Sequence, residues 1–174
     1  MTEEVIQVPA GLTTTGLLGR RYLARFIDTF VIGLLVGGVL FAEGALIGGV
    51  LHGAPGLLLN IAGVIVVVAV WISYGASFES SPWQATLGKR IMGLRVYDAS
   101  GARMMFSQAA IRNLTKDGPF IILGFVPGGQ LFGLLWLAVQ IFVMHRSPVY
   151  QAIHDRVVHS WVAAPEETIQ LRIA

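Results

Sequence analysis

The stretch LLLNIAGVIVVVAVWISYG, residues 57–75, decides the class of protein. It holds no charged residue, and as a helix it is long enough to cross a hydrocarbon core of about 30 Å. The charge-free run extends further, from Gly44 to Phe78, and is interrupted by the turn-forming sequence HGAPG at 52–56. The sequence therefore predicts a membrane-spanning helix over about 57–76.

The composition of the whole chain indicates the same class. Of the 174 residues, 55% are hydrophobic and 13% are charged, and the mean hydropathy is +0.70. Soluble domains carry about a quarter charged residues, so this chain has too few to cover a globular surface. The absence of cysteine excludes a disulfide scaffold. A net charge of +2, with no basic run interleaved with aromatic residues, indicates no nucleic-acid partner.

Three further apolar segments are predicted in the membrane, at about 23–46, 107–126 and 130–145. The last two could instead form one long span over 118–144, but Pro127-Gly128-Gly129 interrupts it. With a helical hairpin, all twelve Lys and Arg lie on one side of the bilayer, as the positive-inside bias requires. We therefore expect an all-α transmembrane bundle of four segments, with both termini in the cytoplasm.

The polar segments complete this domain organisation. Residues 79–106 are predicted to form a cytoplasmic loop containing a small β-hairpin over 94–106, because a Ser100-Gly101 turn separates two short stretches of strand-forming residues. Residues 1–19 lack the features of a signal peptide and are predicted to be a flexible cytoplasmic tail. Residues 20–163 then form the membrane domain, and residues 164–174 form a C-terminal tail.

The first span contains an acidic residue, Asp28, whose insertion into a membrane costs roughly 3 kcal/mol unless it finds a partner or water. Arg21 and Arg25 precede it by seven and three residues, which places all three on one face of a helix. Arg25 is the expected partner. Asp28 could be a proton or cation ligand, or the pair could be a structural clamp. Asp155 is expected to return to the cytoplasmic face and pair with Arg20, Arg21 or Arg25.

Other polar residues in or near the apolar segments could supply further oxygen ligands to such a site: Thr29, Asn60, Ser73 and Gln140. His154 lies beside Asp155, but its spacing from His159 is not the i, i+4 spacing of a helical metal site, so we expect neither a metal nor a cofactor. No nucleophile–base sequence context is present, and we expect no enzymatic activity.

Two motifs carry a resemblance to a known family. They are Arg25-Phe26-Ile27-Asp28 with the later His154-Asp155-Arg156, and the block TLGKRIMGLRV at 86–96, continued by Gly101 and Arg112-Asn113-Leu114. The sequence resembles the RDD family of small bacterial membrane proteins, over roughly 20–162. By position Arg25, Asp28 and Asp155 match the family's arginine and two aspartates, although Arg21 could take the arginine role. One departure is His159-Ser160, where members often have Gly-Thr before a short hydrophobic strand.

The resemblance implies a multi-pass inner-membrane protein that is suspected of transport, with cation/proton antiport proposed. One hypothesis is therefore a small ion or solute transporter centred on Asp28, acting as a homo-oligomer because four helices scarcely enclose a gated path. The alternative is a non-catalytic auxiliary or assembly subunit of a larger membrane complex. The Gly33/Gly37 pair could form a dimer contact, or could pack against the second helix of the same chain.

Overall fold

The computed structural model describes residues 8–49, 54–124 and 128–165. Four long helices dominate this part of the chain: α1 (Leu18–Gly49), α2 (Ala54–Glu79), α4 (Phe106–Gly124) and α5 (Gly129–Arg146). Two short helices, α3 (Leu87–Ile91) and α6 (Ile153–Val157), lie in the connecting segments. Three short strands complete the fold: β1 (Leu12–Thr13), β2 (Arg95–Tyr97) and β3 (Trp161–Pro165).

Within the described residues, α1 and α2 each contain a segment long and apolar enough to cross a membrane. These segments are Leu18–Ala45, with a mean hydropathy of 1.9, and Ile61–Glu79, with 2.1. Only 17% and 28% of the residues in their apolar parts are buried inside the protein. Large side chains such as Phe26, Phe30 and Phe41 point outward. The two helices therefore suit a lipid environment better than the core of a soluble protein.

The predicted break near Pro127 separates two helices, so 118–144 is not one continuous helix. Helix α4 ends at Gly124, and α5 starts after Gly128, whose φ of 76° favours glycine. Helix α5 then packs back against α4. The first half of α4 is polar and its second half is apolar, as expected for a helix that enters the membrane partway along its length. That the chain crosses the membrane four times, and that both termini lie in the cytoplasm, remain predictions.

The strands form a sheet of order β1-β3-β2 with antiparallel pairing, and this corrects the predicted hairpin. β2 pairs with β3, with Val96 opposite Val162, and not with residues 103–106. A turn from Asp98 to Ala102 is present, but the chain then enters α4 at Phe106 and leaves no length for a second strand. The predicted tail boundaries also differ. β1 lies within 1–19, and β3 crosses the predicted boundary at residue 164.

A small apolar core joins this sheet to one end of the helices. Its buried members include Leu17, Ala24, Ala76, Leu94, Val96, Met104 and Val162. They come from α1 and the residue before it, from α2, from β2 and β3, and from the segments that flank β2. The helix ends that carry the charged side chains are therefore held together by this core.

The helix α3 packs unusually close to α1. A Cβ added to Gly88 would overlap the backbone carbonyl oxygen of Ala24 and lie 3.0 Å from Asp28 Cγ. In contrast, nothing lies within 4 Å of the Cβ positions of Gly33 and Gly37, so these glycines do not pack against α2. The close approach of α3 to α1 therefore requires glycine at 88, because backbone cannot move aside as a flexible side chain can.

We expect Gly88→Ala to lower the free energy of unfolding by about 1–3 kcal/mol, the usual cost of overpacking. Gly37→Ala is the matched control, because it makes the same change where the Cβ meets no other atom. Unfolding of the purified protein in mixed detergent micelles would measure both variants. Equal stability of the two would contradict the close approach, and a large loss in Gly37→Ala alone would indicate a contact with a second copy.

Candidate functional site

The guanidinium of Arg112 lies at the centre of a buried charge network. Its Nη1 donates to both carboxylate oxygens of Glu79, at 2.8 and 2.9 Å. Its Nη2 and Nε donate to Asp155 Oδ1, at 2.5 and 3.0 Å. Arg112 is 1% exposed, and both carboxylates are fully buried. One cation from α4 therefore binds carboxylates from both α2 and α6, with two hydrogen bonds to each.

The network extends from Arg112 to two more helices. Arg21 of α1 donates from Nη2 to Asp155 Oδ2 at 3.0 Å. Lys89 of α3 forms an ion pair with Glu79. The order of charges along the chain of contacts is therefore Arg21, Asp155, Arg112, Glu79 and Lys89, with alternating sign. These five side chains, which we call the inner network, connect α1, α6, α4, α2 and α3.

The local geometry of α6 explains how Asp155 reaches this position. The Asp155 Oδ2 accepts the backbone N–H of Ala152, which precedes the helix, at 3.2 Å. A carboxylate in the first turn of a helix is stabilised by the unpaired N–H groups there. His159 then adopts a φ of 49°, a conformation for which glycine is the usual residue. The buried Ser160 hydroxyl accepts a hydrogen bond from Arg112 Nε at 3.2 Å. The His159-Ser160 sequence, which differs from the Gly-Thr of many family members, is therefore followed by a well-packed strand.

Arg25 pairs with Asp117 of α4, and the predicted Arg25–Asp28 ion pair is not formed among the described residues. Arg25 Nη2 lies 2.5 Å from Asp117 Oδ1, and Nη1 lies 3.3 Å from Oδ2. Lys116 Nζ is 3.3 Å from the same carboxylate. The prediction was wrong because the long Arg25 side chain crosses to the neighbouring helix. The pairing of Asp155 with the start of α1 is confirmed, through Arg21.

Asp28 is buried, 5% exposed, and it is bound by uncharged donors. The Tyr74 hydroxyl and the Gly88 N–H donate to Oδ1 at 2.9 and 2.8 Å, and the Thr86 hydroxyl donates to Oδ2 at 2.5 Å. These donors come from α2, from α3 and from the residue before α3. Asp28 therefore ties α1 to the loop that follows α2, and it does not share a hydrogen bond with Asp155.

This arrangement gives the 86–96 block a physical meaning. Thr86 and Gly88 bind Asp28, Lys89 pairs with Glu79, and the Arg90 guanidinium lies 3.9 Å from the centre of the Trp83 ring. The Leu87 N–H donates to the Tyr74 hydroxyl at 3.3 Å, so each of the first five residues of the block has a defined contact. The block acts as a clip that closes over the start of α1.

The sequence analysis did not identify Glu79 or Asp117 as members of the site. It named Arg112 only as part of a motif and did not identify it as the centre of the network. A signal for them exists, because Glu79 directly follows the charge-free run and Arg112 and Asp117 lie just before an apolar one. In a four-segment topology all three fall at the same end of the bundle. Their individual partners, however, depend on long-range packing that the spacing does not reveal.

A cavity of about 410 Å³ opens beside the network, between α1, α2, α4 and α5. Most of the predicted site residues line it: Arg21, Arg25, Asp28, Thr29, Gln140 and His154. Asp155 is not among its lining residues. The Ser73 hydroxyl donates to the Ala69 carbonyl of its own helix, and the side chain of Asn60 lies outside the described residues. Among the residues that the structure describes, no group of three or more His, Asp or Glu could hold a metal ion.

His154 lines this cavity, and its side chain is 12% exposed. Its Nδ1 lies 3.1 Å from Gln140 Oε1, and its Nε2 lies 3.4 Å from Asp155 Oδ1. Burial lowers the pKa of His154 to about 3, because the attraction of Asp155 is outweighed by desolvation and by Arg112, Lys116 and Arg21. The unfolded chain, with an ordinary His pKa of 6.5, binds a proton that the folded chain excludes.

The free energy of unfolding should therefore fall as the pH is lowered from about 6.5 to 4.5, by up to about 1.4 kcal/mol per pH unit. His154→Gln should flatten this dependence above about pH 5.5, since glutamine does not titrate. At lower pH the ion-paired carboxylates of Glu79, Asp117 and Asp155 also take up protons and add a slope of their own, and the pKa of Asp155 is lowered by folding. His159→Asn is the matched control, because His159 is exposed and asparagine tolerates its positive φ. Detergent-based unfolding at a series of pH values measures both. An unchanged slope in His154→Gln would show that His154 is not excluded from protonation in the folded protein.

Comparison with known proteins identifies the family. The model of the RDD family matches residues 15–159, which include α1 to α6 and the whole inner network. No curated protein and no solved structure shows a significant match to the chain. The match covers most of the chain and agrees with the motifs that form the clip and the network. The chain therefore belongs to the RDD family, and its apolar helices indicate a membrane protein.

Proposed function

We propose that this protein is a multi-pass protein of the inner membrane that binds a small solute in the interhelical cavity and moves it across the bilayer, as a homo-oligomer. The observation that carries the proposal is the cavity of about 410 Å³, within the usual size of ligand sites and located between helices. Its wall combines charged side chains from the inner end with apolar side chains from α4 and α5. Such a wall suits solute binding, and we propose no enzymatic activity.

The cavity, more than the carboxylate of Asp28, is the favoured centre of this function. Three donors already occupy the Asp28 oxygens, so a cation would have to displace the Tyr74, Thr86 or Gly88 hydrogen bond. Basic side chains also outnumber acidic ones on the cavity wall, which opposes a cation. Cation/proton antiport stays a prediction from the family resemblance. The charges of the cavity wall favour a solute other than a cation in this cavity.

A second candidate function is supported by the inner network itself. Buried, fully paired charges at the meeting point of five elements can serve as structural ties without any transport. In that case the protein is an auxiliary or assembly subunit of a larger membrane complex, and its exposed apolar faces contact a partner. The two candidates differ in whether the cavity becomes accessible from both sides of the membrane.

Cysteine labelling distinguishes them, because the chain has no native cysteine. Thr29→Cys places a single thiol on the cavity wall. In sealed vesicles, transport predicts that Thr29→Cys reacts with a membrane-impermeant methanethiosulfonate reagent added on either side. A Ser100→Cys control, in the exposed turn after β2, should react from one side alone. Reaction of Thr29→Cys from one side, or from neither, would contradict transport and favour the auxiliary role.

A further inference from the structure

Two residues that line the cavity carry a buried hydrogen-bond donor without an acceptor. Gln140 is 5% exposed, and its Oε1 accepts the Ile153 N–H at 3.1 Å and lies 3.1 Å from His154 Nδ1. These contacts fix the orientation of the amide and leave Gln140 Nε2 with no partner. The indole Nε1 of Trp71 is also buried without a partner, and both residues line the same cavity. Each unpaired buried donor costs roughly 1–3 kcal/mol, which a bound acceptor would recover.

The charges around the cavity are short of one negative charge. Five basic side chains line it, Arg21, Arg25, Lys89, Arg112 and Lys116, together with the acidic Asp28 and Asp117. Glu79 and Asp155 lie behind the wall and pair with its cations. Five positive and four negative groups give a net charge of 5 − 4 = +1. An excess of positive charge on a cavity wall attracts anions, so a single anionic group is the complement that this wall lacks.

Most of the rest of the cavity wall is apolar. Phe120 of α4 and Trp136, Leu137, Ile141 and Met144 of α5 line it. A small hydrated anion would gain nothing from this surface, whereas a hydrocarbon chain would gain about 25 cal/mol for each Å² buried. The unpaired donors and the basic side chains therefore favour a ligand with an anionic head group, and the apolar wall favours one with a hydrocarbon tail.

We propose that the cavity binds a singly charged anionic amphiphile, a carboxylate or phosphate diester attached to a hydrocarbon chain, whose oxygens accept from Gln140 Nε2 and Trp71 Nε1. This inference rests on the proposed function only in taking the cavity as the binding site. The amphiphile could be a free fatty acid or an anionic phospholipid, because both present the same head and tail chemistry.

Native mass spectrometry of the full chain in detergent tests the proposal, with oleate, methyl oleate and dioleoylphosphatidylglycerol as probes. We expect a one-to-one adduct with oleate or with the phospholipid, and at least tenfold weaker binding of methyl oleate, which lacks the charge. Whichever anionic probe binds more tightly identifies the source. Equal binding of methyl oleate and oleate would overturn the proposal, as would the absence of any one-to-one adduct.

Substitution of Gln140 locates the site. Gln140→Glu keeps the oxygen that Ile153 contacts and replaces the unpaired Nε2 with a negative oxygen. It should weaken binding of the anionic probe at least tenfold. Gln108→Glu makes the same chemical change outside the cavity, at a side chain whose Oε1 accepts the Met105 N–H, and should not alter binding. Unchanged binding in Gln140→Glu would overturn the proposal.

A further variant keeps the test decisive if Gln140→Glu does not fold. Trp71→Phe removes the indole donor without a change in charge and should weaken binding about threefold or more. The two proposals also fail separately. Two-sided labelling of Thr29→Cys without an anionic adduct would reject the ligand class and keep transport. One-sided labelling with a specific adduct would reject transport and keep the ligand.

Discussion

The forked contacts of Arg112 with Glu79 and Asp155 are the constraint on which the inner end of this protein depends. Desolvating three charges is expensive, and it is tolerated only because each charge faces an opposite one at hydrogen-bond distance. The contacts fix how α2, α4 and α6 meet, and Arg21 and Lys89 add α1 and α3. A buried network of this kind specifies one arrangement of helices more than it adds net stability, because a mispaired arrangement would leave a charge buried alone.

Asp28 and Asp155, the two aspartates that match the family's motif, hold structural elements together and are not the groups that we propose to bind a solute. Asp28 is occupied by Tyr74, Thr86 and Gly88 and thereby closes the 86–96 clip over α1. Asp155 is held behind the cavity wall by Arg21 and Arg112. Two residues of the cavity wall, Gln140 and Trp71, carry the unpaired donors. These structural ties therefore lie next to the cavity that we propose as the binding site, and Asp28 is already fully engaged in holding the 86–96 clip.

The sequence predicted the helices well because long charge-free runs have few alternatives. It also predicted that Asp155 returns to the arginines at the start of α1, because the positive-inside bias placed them at one interface; of Arg20, Arg21 and Arg25, the structure selects Arg21. It failed where the outcome depended on competition between partners. Arg25 had Asp28 nearby in sequence, but the structure offers it Asp117 from another helix. Likewise β2 had a local partner by turn chemistry, yet it pairs with β3, and Val96 and Val162 of this pairing lie in the apolar core. The spacing of residues along the chain reveals neither Asp117 as the partner of Arg25 nor β3 as the partner of β2.

The stability of Arg112→Met tests the central role of this network most directly. Unfolding in mixed micelles should show a loss of about 3–5 kcal/mol, because two buried carboxylates lose their shared counterion. The double variant Glu79→Gln/Arg112→Met should recover part of that loss, and Arg103→Met, which alters an exposed arginine, should stay within about 0.5 kcal/mol of the native protein. An Arg112→Met protein as stable as Arg103→Met would contradict the account.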